Sequence, residues 1–211
     1  MSQVSLGPAE FAAAMGVSRE TLERFKAYAA LLGAWSTRIN LVGRATLDDL
    51  WRRHFLDSAQ LQPLIPADAQ SLVDLGSGAG FPGLVLAILG VPGVELIEAD
   101  SRKAAFLREA ARITGAPAVI RSCRIEAVTP LEADVVTARA CAPLGQLLEL
   151  GERFIGRRTT CLFLKGARAD EELTEAGKAW TMTATRHPSR ADPSGSILLL
   201  EQVAPREPRR D

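Results

Sequence analysis

The chain has 211 residues, 47% of them hydrophobic, enough for one large core or for one domain with a helical appendage. Its 25 Lys and Arg balance 25 Asp and Glu, which excludes nucleic-acid binding by bulk charge and leaves only a local patch for it. Cys123, Cys141 and Cys161 form an odd, widely spaced set without a C-x-x-C pair, which excludes a zinc site and a disulfide framework.

Buried apolar thiols in a reducing cytosol are therefore expected. Arginine far outnumbers lysine, which suits phosphate or base contacts and equally suits an Arg- and Ala-rich genome. The most apolar stretch, LVLAILGVPGV, is short and broken by Gly90, Pro92 and Gly93, so no membrane span is expected.

In chain order, MSQVSLGPAEF lacks a basic start followed by an apolar run, and no signal peptide is expected. Pro8 can open a short helix that stops at Gly16. Ser18 is a good N-cap for a longer helix running toward Trp35, with Leu22, Phe25, Ala29 and Leu32 at helical spacing. A third helix is expected from about Thr46, carrying Leu47, Leu50, Trp51, His54 and Phe55. LQPLIPADAQ then reads as a linker.

From Ser71 the pattern alternates between strand and helix. SLVDL, VELIEA, APAVIR, ADVVTAR and TTCLFLKG read as strands, and PGLVLAIL, RKAAFLREAARITG, PLGQLLELGERFIG and RADEELTEAGKA as helices. Two last strands, near Trp180–His187 and Ser196–Val203, have no helix between them. This grammar predicts an α/β domain with a mostly parallel seven-stranded sheet, helices on both faces and one antiparallel edge strand. It resembles the class I methyltransferase (Rossmann-like) fold. The expected division is a helical extension over residues 1–62, a core domain over 71–204 and a disordered tail over 205–211.

The strongest motif is DLGSGAGFPG, Asp74 to Gly83, where a strand ends and a helix begins. Its glycines allow a tight turn and close approach of a ligand to the backbone. Two details favour S-adenosylmethionine over a dinucleotide. Gly76, Gly78 and Gly80 have G-x-G-x-G spacing, and Asp74 stands two residues ahead of the first glycine. A carboxylate there would repel a pyrophosphate but not an ammonium or a sulfonium. Glu98, near the end of the second strand, is placed to accept from ribose hydroxyls, with Asp100 as its competitor.

With INLVGR (Ile39–Arg44), RHFLDS (Arg53–Ser58), RIE (Arg124–Glu126), ARA (Ala138–Ala140) and FLKG (Phe163–Gly166) added, the chain resembles the RsmG (GidB) family over nearly its whole length. That resemblance implies S-adenosylmethionine-dependent methylation of N7 of a guanine in a hairpin loop of 16S rRNA near the decoding site. It implies cofactor contacts at Gly76, Phe81, Ile125, Glu126 and Arg139, with Ile125 and Glu126 reading the adenine edge. Many members have Asp where this chain has Glu98.

Guanine N7 carries a free lone pair, so no proton has to leave before attack and catalysis can rest on positioning. In keeping with this, the sequence offers no Pro-Cys nucleophile, no Asn/Asp-Pro-Pro-aromatic motif and no metal site. Arg139, ending a buried strand, is the candidate for holding the cofactor carboxylate, a phosphate or O6. A salt-bridged arginine is its structural alternative. Lys165 and Arg168 fall on the same rim and are candidates for RNA phosphates.

His54 and Asp57 share a helix face and, with Asn40 and Arg53, could floor the cofactor pocket or touch RNA, or simply bond within the fold. Trp35, Trp51 and Phe55 are expected to pack the helices onto the sheet. Arg186, His187 and Arg190 read as a solvated loop, with RNA contact as the alternative, and the basic tail as disordered, with attraction for RNA as its alternative. A cytoplasmic monomer acting on 16S rRNA within the small subunit is expected. The alternatives are a class I methyltransferase for a small molecule or protein, a nucleotide-dependent oxidoreductase, and a non-enzymatic assembly factor.

Overall fold

In a computed structural model that describes residues 6–206, the alternating pattern forms one seven-stranded sheet. Its strands are β1 (Leu72–Leu75), β2 (Val94–Ile97), β3 (Ala118–Arg121), β4 (Val135–Arg139), β5 (Thr160–Lys165), β6 (Trp180–Pro188) and β7 (Ser196–Pro205). The order is β3-β2-β1-β4-β5-β7-β6. β1 and β4 pair in parallel at the point where the strand order reverses, with Asp74 opposite Thr137. Open α/β sheets bind ligands above that point, at the carboxyl ends of their strands.

The reversed strand is β7, and it is not at the edge as expected. It lies between β5 and β6, antiparallel to both, because a short turn folds it back inside β6. The connecting helices are α5 (Gly83–Ile88), α6 (Ser101–Thr114), α7 (Leu144–Gly151) and α8 (Ala169–Ala176). Asp100 caps the N-terminus of α6, and Gly115 ends that helix at φ 62°, a conformation that suits glycine.

The N-terminal part begins with α1 (Pro8–Met15), ended by Gly16 at φ 64°. The long α2 (Arg19–Ser36) follows, where Ser18 Oγ accepts from the Thr21 N–H at 3.1 Å. The third expected helix is broken up. A single turn, α3 (Arg44–Leu47), gives way to π-helical turns over Trp51–Leu56, then to the short α4 (Asp57–Ala59). The Asp57 N–H bonds to the Arg52 carbonyl, five residues back. Such wide turns inside helices often mark functional sites.

Phe11, Phe25, Tyr28 and Phe55 are all fully buried. They join Trp51, Phe81 and Phe106 in a chain of ring contacts 4.9–6.2 Å between centroids. Trp35 meets Phe106 edge-on. One apolar cluster thus runs from the N-terminal helices to the sheet residues Leu72, Val135 and Leu162, and it fixes the helical layer against the sheet.

Pro205 still pairs with Trp180, and Arg206 Nε donates to the Gly177 carbonyl at 2.7 Å. The tail expected from residue 205 is therefore structured at its start; residues 207–211 and 1–5 lie outside the described residues. Among the described residues no helix is long and apolar enough to cross a membrane.

Candidate functional site

At the end of β1 the backbone reverses with Gly76, Gly78 and Gly80 at φ 63°, 58° and 90°, a region that disfavours any side chain. The three glycines have different reasons to be there. A Cβ on Gly76 would lie 2.5 Å from Cys141 Sγ, and one on Gly80 would lie 2.6 Å from the Tyr28 hydroxyl and 2.9 Å from Leu84 Cβ. On Gly78 it would meet nothing nearer than the Gly76 carbonyl oxygen at 3.9 Å. Gly76 and Gly80 let the turn sink into the protein, while Gly78 faces open space.

Glu98, just past β2, supports that turn. Its Oε2 accepts from the Gly78 N–H at 2.8 Å and its Oε1 from the Asp100 N–H at 2.7 Å. Asp100 is occupied as a helix cap and as the partner of Arg102 at 3.1 Å. The Arg102 side chain and N–H hold its pKa down to about 2. After β3, Ile125–Ala127 form one tight helical turn in which Ile125 is buried with Leu75 and Ile97 and Glu126 is exposed.

Asp74 lies beneath the turn, covered from the open space above Gly78. It is fully buried, because its strand position turns it toward β4. Thr137 Oγ1 donates to its Oδ1 at 2.8 Å, and its Oδ2 makes no hydrogen bond of normal geometry. Burial raises its pKa to about 6, against the hydrogen bonds of Ser77, Thr137 and Gly83.

A buried carboxyl of this kind binds its proton more tightly folded than unfolded, so its contribution to stability is greatest below its ordinary value of 3.8 and is lost as the pH rises through about 6. Asp74→Asn keeps an acceptor for Thr137 and removes the charge. Its stability relative to wild type is expected to grow by about 2–3 kcal/mol between pH 4 and 7. Urea unfolding at several pH values checks this, and parallel pH slopes for the two proteins would refute it.

On the β4–β5 side of the glycine turn is a cavity of about 660 Å³. Its walls come from Leu41–Gly43, Thr46, Arg53, His54 and Asp57, from Arg139–Pro143 and Lys165, and from the β6–β7 turn at Ser189, Ala191 and Asp192. The loop glycines, Glu98, Ile125 and Glu126 do not line it. Cys141, packed on Gly76, joins the two regions. Ala140, at φ 50° without being glycine, sharply redirects the chain between Arg139 and Cys141, and such strain tends to collect at functional sites.

Arg139 is held on several sides. Its Nη2 donates to His54 Nδ1 at 2.8 Å, and its Nη1 donates to the Arg53 carbonyl at 3.0 Å and approaches Asp57 Oδ2 at 3.4 Å. The guanidinium lies 4.8 Å from the centre of the Phe81 ring, on which His54 also stacks. Thr46 Oγ1 donates its one proton to the Gly43 carbonyl at 2.7 Å, so it must accept from His54 Nε2–H across their 2.8 Å contact. His54 Nδ1 is then the bare nitrogen that receives Arg139. Burial, with the charges of Arg139 and Arg53, lowers the His54 pKa to about 3, and the ring stays neutral.

Asp57 is drawn both ways. Burial raises its pKa and Arg139 lowers it, while Gln60 Nε2 donates to its Oδ1 at 3.0 Å. The salt-bridge alternative for Arg139 is thus realised in part. Arg53 is exposed and pairs with Asp192 at 2.8 Å.

The remaining candidates divide. Arg168 lines the cavity and is exposed. Asn40 is exposed and does not line it. Lys165 is no free rim cation: its side chain is 7% exposed and pairs with Glu172, because β5 ends against α8. Arg186 pairs with Asp170, and the Arg190 N–H is tied to Gln60 Oε1. Of the cysteines only Cys161 is buried, with its pKa pushed up to about 12, and Cys141 is exposed. Partial burial, then Asp74 and Glu98, raise the Cys141 thiol above its usual pKa, the opposite of what a nucleophile needs.

Thr46, Cys141, Glu172, Ser189 and Asp192 were not among the expected site residues. Cys141 directly follows ARA, and SRADPSGS has the composition of a tight turn; Thr46 and Glu172 carry no local signal.

Residues 21–192 match a family model described as GidB, rRNA small subunit methyltransferase G. A relative named ribosomal RNA small subunit methyltransferase G from Rhodospirillum centenum is 60% identical over 93% of this chain and 91% of that protein. One of the same name from Rhodospirillum rubrum is 58% identical over 93% and 98%. Among solved structures, a variant of MtNAS in complex with S-adenosylmethionine has a TM-score of 0.56 at 14% identity, covering 94% of this chain and 85% of that one. M. jannaschii TYW2 in complex with AdoMet has a TM-score of 0.55 at 15% identity, covering 81% and 80%. These two likenesses show the fold, that of the class I methyltransferases.

Proposed function

The chain belongs to the GidB family, rRNA small subunit methyltransferase G, and from that premise we propose that it transfers a methyl group from S-adenosylmethionine to N7 of a guanine in 16S rRNA. The target implied by the family is in a hairpin loop near the decoding site.

The residues around the glycine turn fit the donor. Gly78 leaves open space above the turn, and Glu98 holds a carboxylate beside it. Asp74 keeps an unpartnered buried oxygen beneath it, to the advantage of a cationic ligand. Gly76, Gly78, Gly80 and Phe81 would bear the methionine end, Glu98 the ribose, and Ile125 with Glu126 the adenine. When bound, the donor supplies a methyl group on a sulfonium that is its own leaving group.

The observation that carries the N7 reading is how the titratable side chains of the cavity are used. Around Arg139 both nitrogens of His54 are occupied, and Asp57 and Asp192 are paired with arginines. None of these three stands ready to remove a proton. An amine or hydroxyl acceptor would need such a base, whereas a lone-pair nitrogen needs only to be aimed. Arg139 retains its Nε–H and a second Nη2 hydrogen for the donor's carboxylate or guanine O6. Arg53, His54 and Asp57 orient it, and Arg53 and Arg168 at the mouth can meet phosphates.

A monomer working in the cytosol on the small ribosomal subunit is part of this reading. Labelled methyl from S-adenosylmethionine should enter small-subunit rRNA and not a panel of metabolites or proteins. Transfer to a metabolite with none to RNA would favour the small-molecule alternative. Tight RNA binding without transfer would favour the assembly factor.

A further inference from the structure

The Lys165–Glu172 pair is more than a surface salt bridge. Lys165 Nζ donates to the Ala142 carbonyl at 2.8 Å and forms an ion pair with Glu172 Oε2 at 2.8 Å. An ammonium has three hydrogens, so at least one is left. Glu172 Oε2 also accepts from the Leu144 N–H at 2.8 Å, and among the described residues nothing engages Oε1. Both side chains line the cavity, 7% and 20% exposed. An unused donor and an unused acceptor therefore lie side by side on the β5–α8 wall, beside the segment that carries Cys141 and Ala142 on from Arg139.

We propose that Lys165 and Glu172 read the six-membered-ring edge of the target guanine, Lys165 donating to O6 and Glu172 accepting from N1–H. The inference rests on the guanine-N7 reading above and names what selects the base. Guanine presents an acceptor next to a donor along that edge, whereas adenine presents the reverse and would set its amino group against the ammonium and its N1 lone pair against the carboxylate. N7 lies beside O6 on the same side of the base, so it falls next to Lys165, whose contact with Ala142 leads through Cys141 to the glycine turn. The Ala142 and Leu144 bonds fix both groups before the base arrives, so little ordering is left for binding. A buried polar pair built to be matched rejects a base that leaves it unmatched.

The test uses the full chain and small-subunit rRNA whose mapped target guanine is replaced by hypoxanthine, which keeps O6 and N1–H, or by 2-aminopurine, which lacks both. Wild type should methylate the hypoxanthine RNA within about threefold of the guanine RNA and the 2-aminopurine RNA at least about tenfold more slowly. In Glu172→Gln that preference should fall below about threefold, while S-adenosylmethionine affinity by calorimetry stays within about twofold. Comparing the two proteins cancels the intrinsic reactivities of the bases.

Retention of the full tenfold preference in Glu172→Gln would overturn the assignment. So would wild-type turnover of the 2-aminopurine RNA at the guanine rate, a result that needs no variant to fold. If wild type instead modifies another base or atom, the N7 reading itself has failed, and product analysis tells the two failures apart.

Discussion

Arg139→Ala is expected to lower methyl transfer to the small subunit by about a hundredfold or more, the order of loss that follows from misplacing a reacting group by an ångström. The substitution removes the donor that His54 Nδ1, the Arg53 carbonyl and Asp57 Oδ2 share. It leaves the half-buried Asp57 carboxylate with only Gln60 and Ser189. Stability should therefore fall as well, by about 1–3 kcal/mol for polar groups left without partners.

Arg139→Lys separates the two effects. An ammonium keeps a charge near Asp57, so most of the stability should return. It cannot reach His54, Arg53 and the ligand from one plane, nor lie flat against Phe81, so transfer should stay at least about tenfold down, roughly 1.4 kcal/mol. Turnover within twofold of wild type for Arg139→Lys would mean that the planar guanidinium is not used.

The second large effect is a contrast between two glycines of one turn. Gly80→Ala places a methyl group against the Tyr28 hydroxyl, Leu84 Cβ and Leu107 Cδ2, all at 3.0 Å or less. Backbone strain at φ 90° adds to the overlap, and the two together are expected to cost about 3 kcal/mol or more. Gly78→Ala meets no such crowding and should lose only about 1–2 kcal/mol, from its positive φ. Its methyl group would stand where the donor has to lie against the backbone, so S-adenosylmethionine affinity should fall at least about tenfold, roughly 1.4 kcal/mol. Calorimetry and thermal melts on both variants check this. Unchanged affinity in a folded Gly78→Ala protein would remove the donor from this turn.

Much of the fold was legible because its signals are local. Pro8, Gly16 and Ser18, and the alternating strand–helix pattern from Ser71, all act within a few residues, and the elements fall where those residues direct. The glycine turn was legible for the same reason, although the sequence could not distinguish Gly78, which faces open space, from Gly80, which accommodates Tyr28. That difference depends on the side chain of Tyr28, fifty-two residues before Gly80.

What stayed hidden depends on contacts distant in sequence. The π-helical turns that present His54 and Asp57 have no distinct spacing from an α-helix over so short a run. The position of β7 inside β6 is decided by pairing with β5, and the burial of Asp74 by its opposite number Thr137. Lys165 looked like a rim cation because its partner Glu172 is on the next helix. Arg139 was singled out correctly as a charge at the end of a buried strand, but its partners come from residues eighty or more positions earlier in the chain.

The central claim is methylation at guanine N7 by positioning, without a base. Nucleoside analysis of small-subunit rRNA after reaction with the protein and labelled S-adenosylmethionine tests it most directly. The account predicts that the label appears in 7-methylguanosine, at one mapped position. Label in a ribose, in an exocyclic amine or in any nucleoside other than 7-methylguanosine would contradict it.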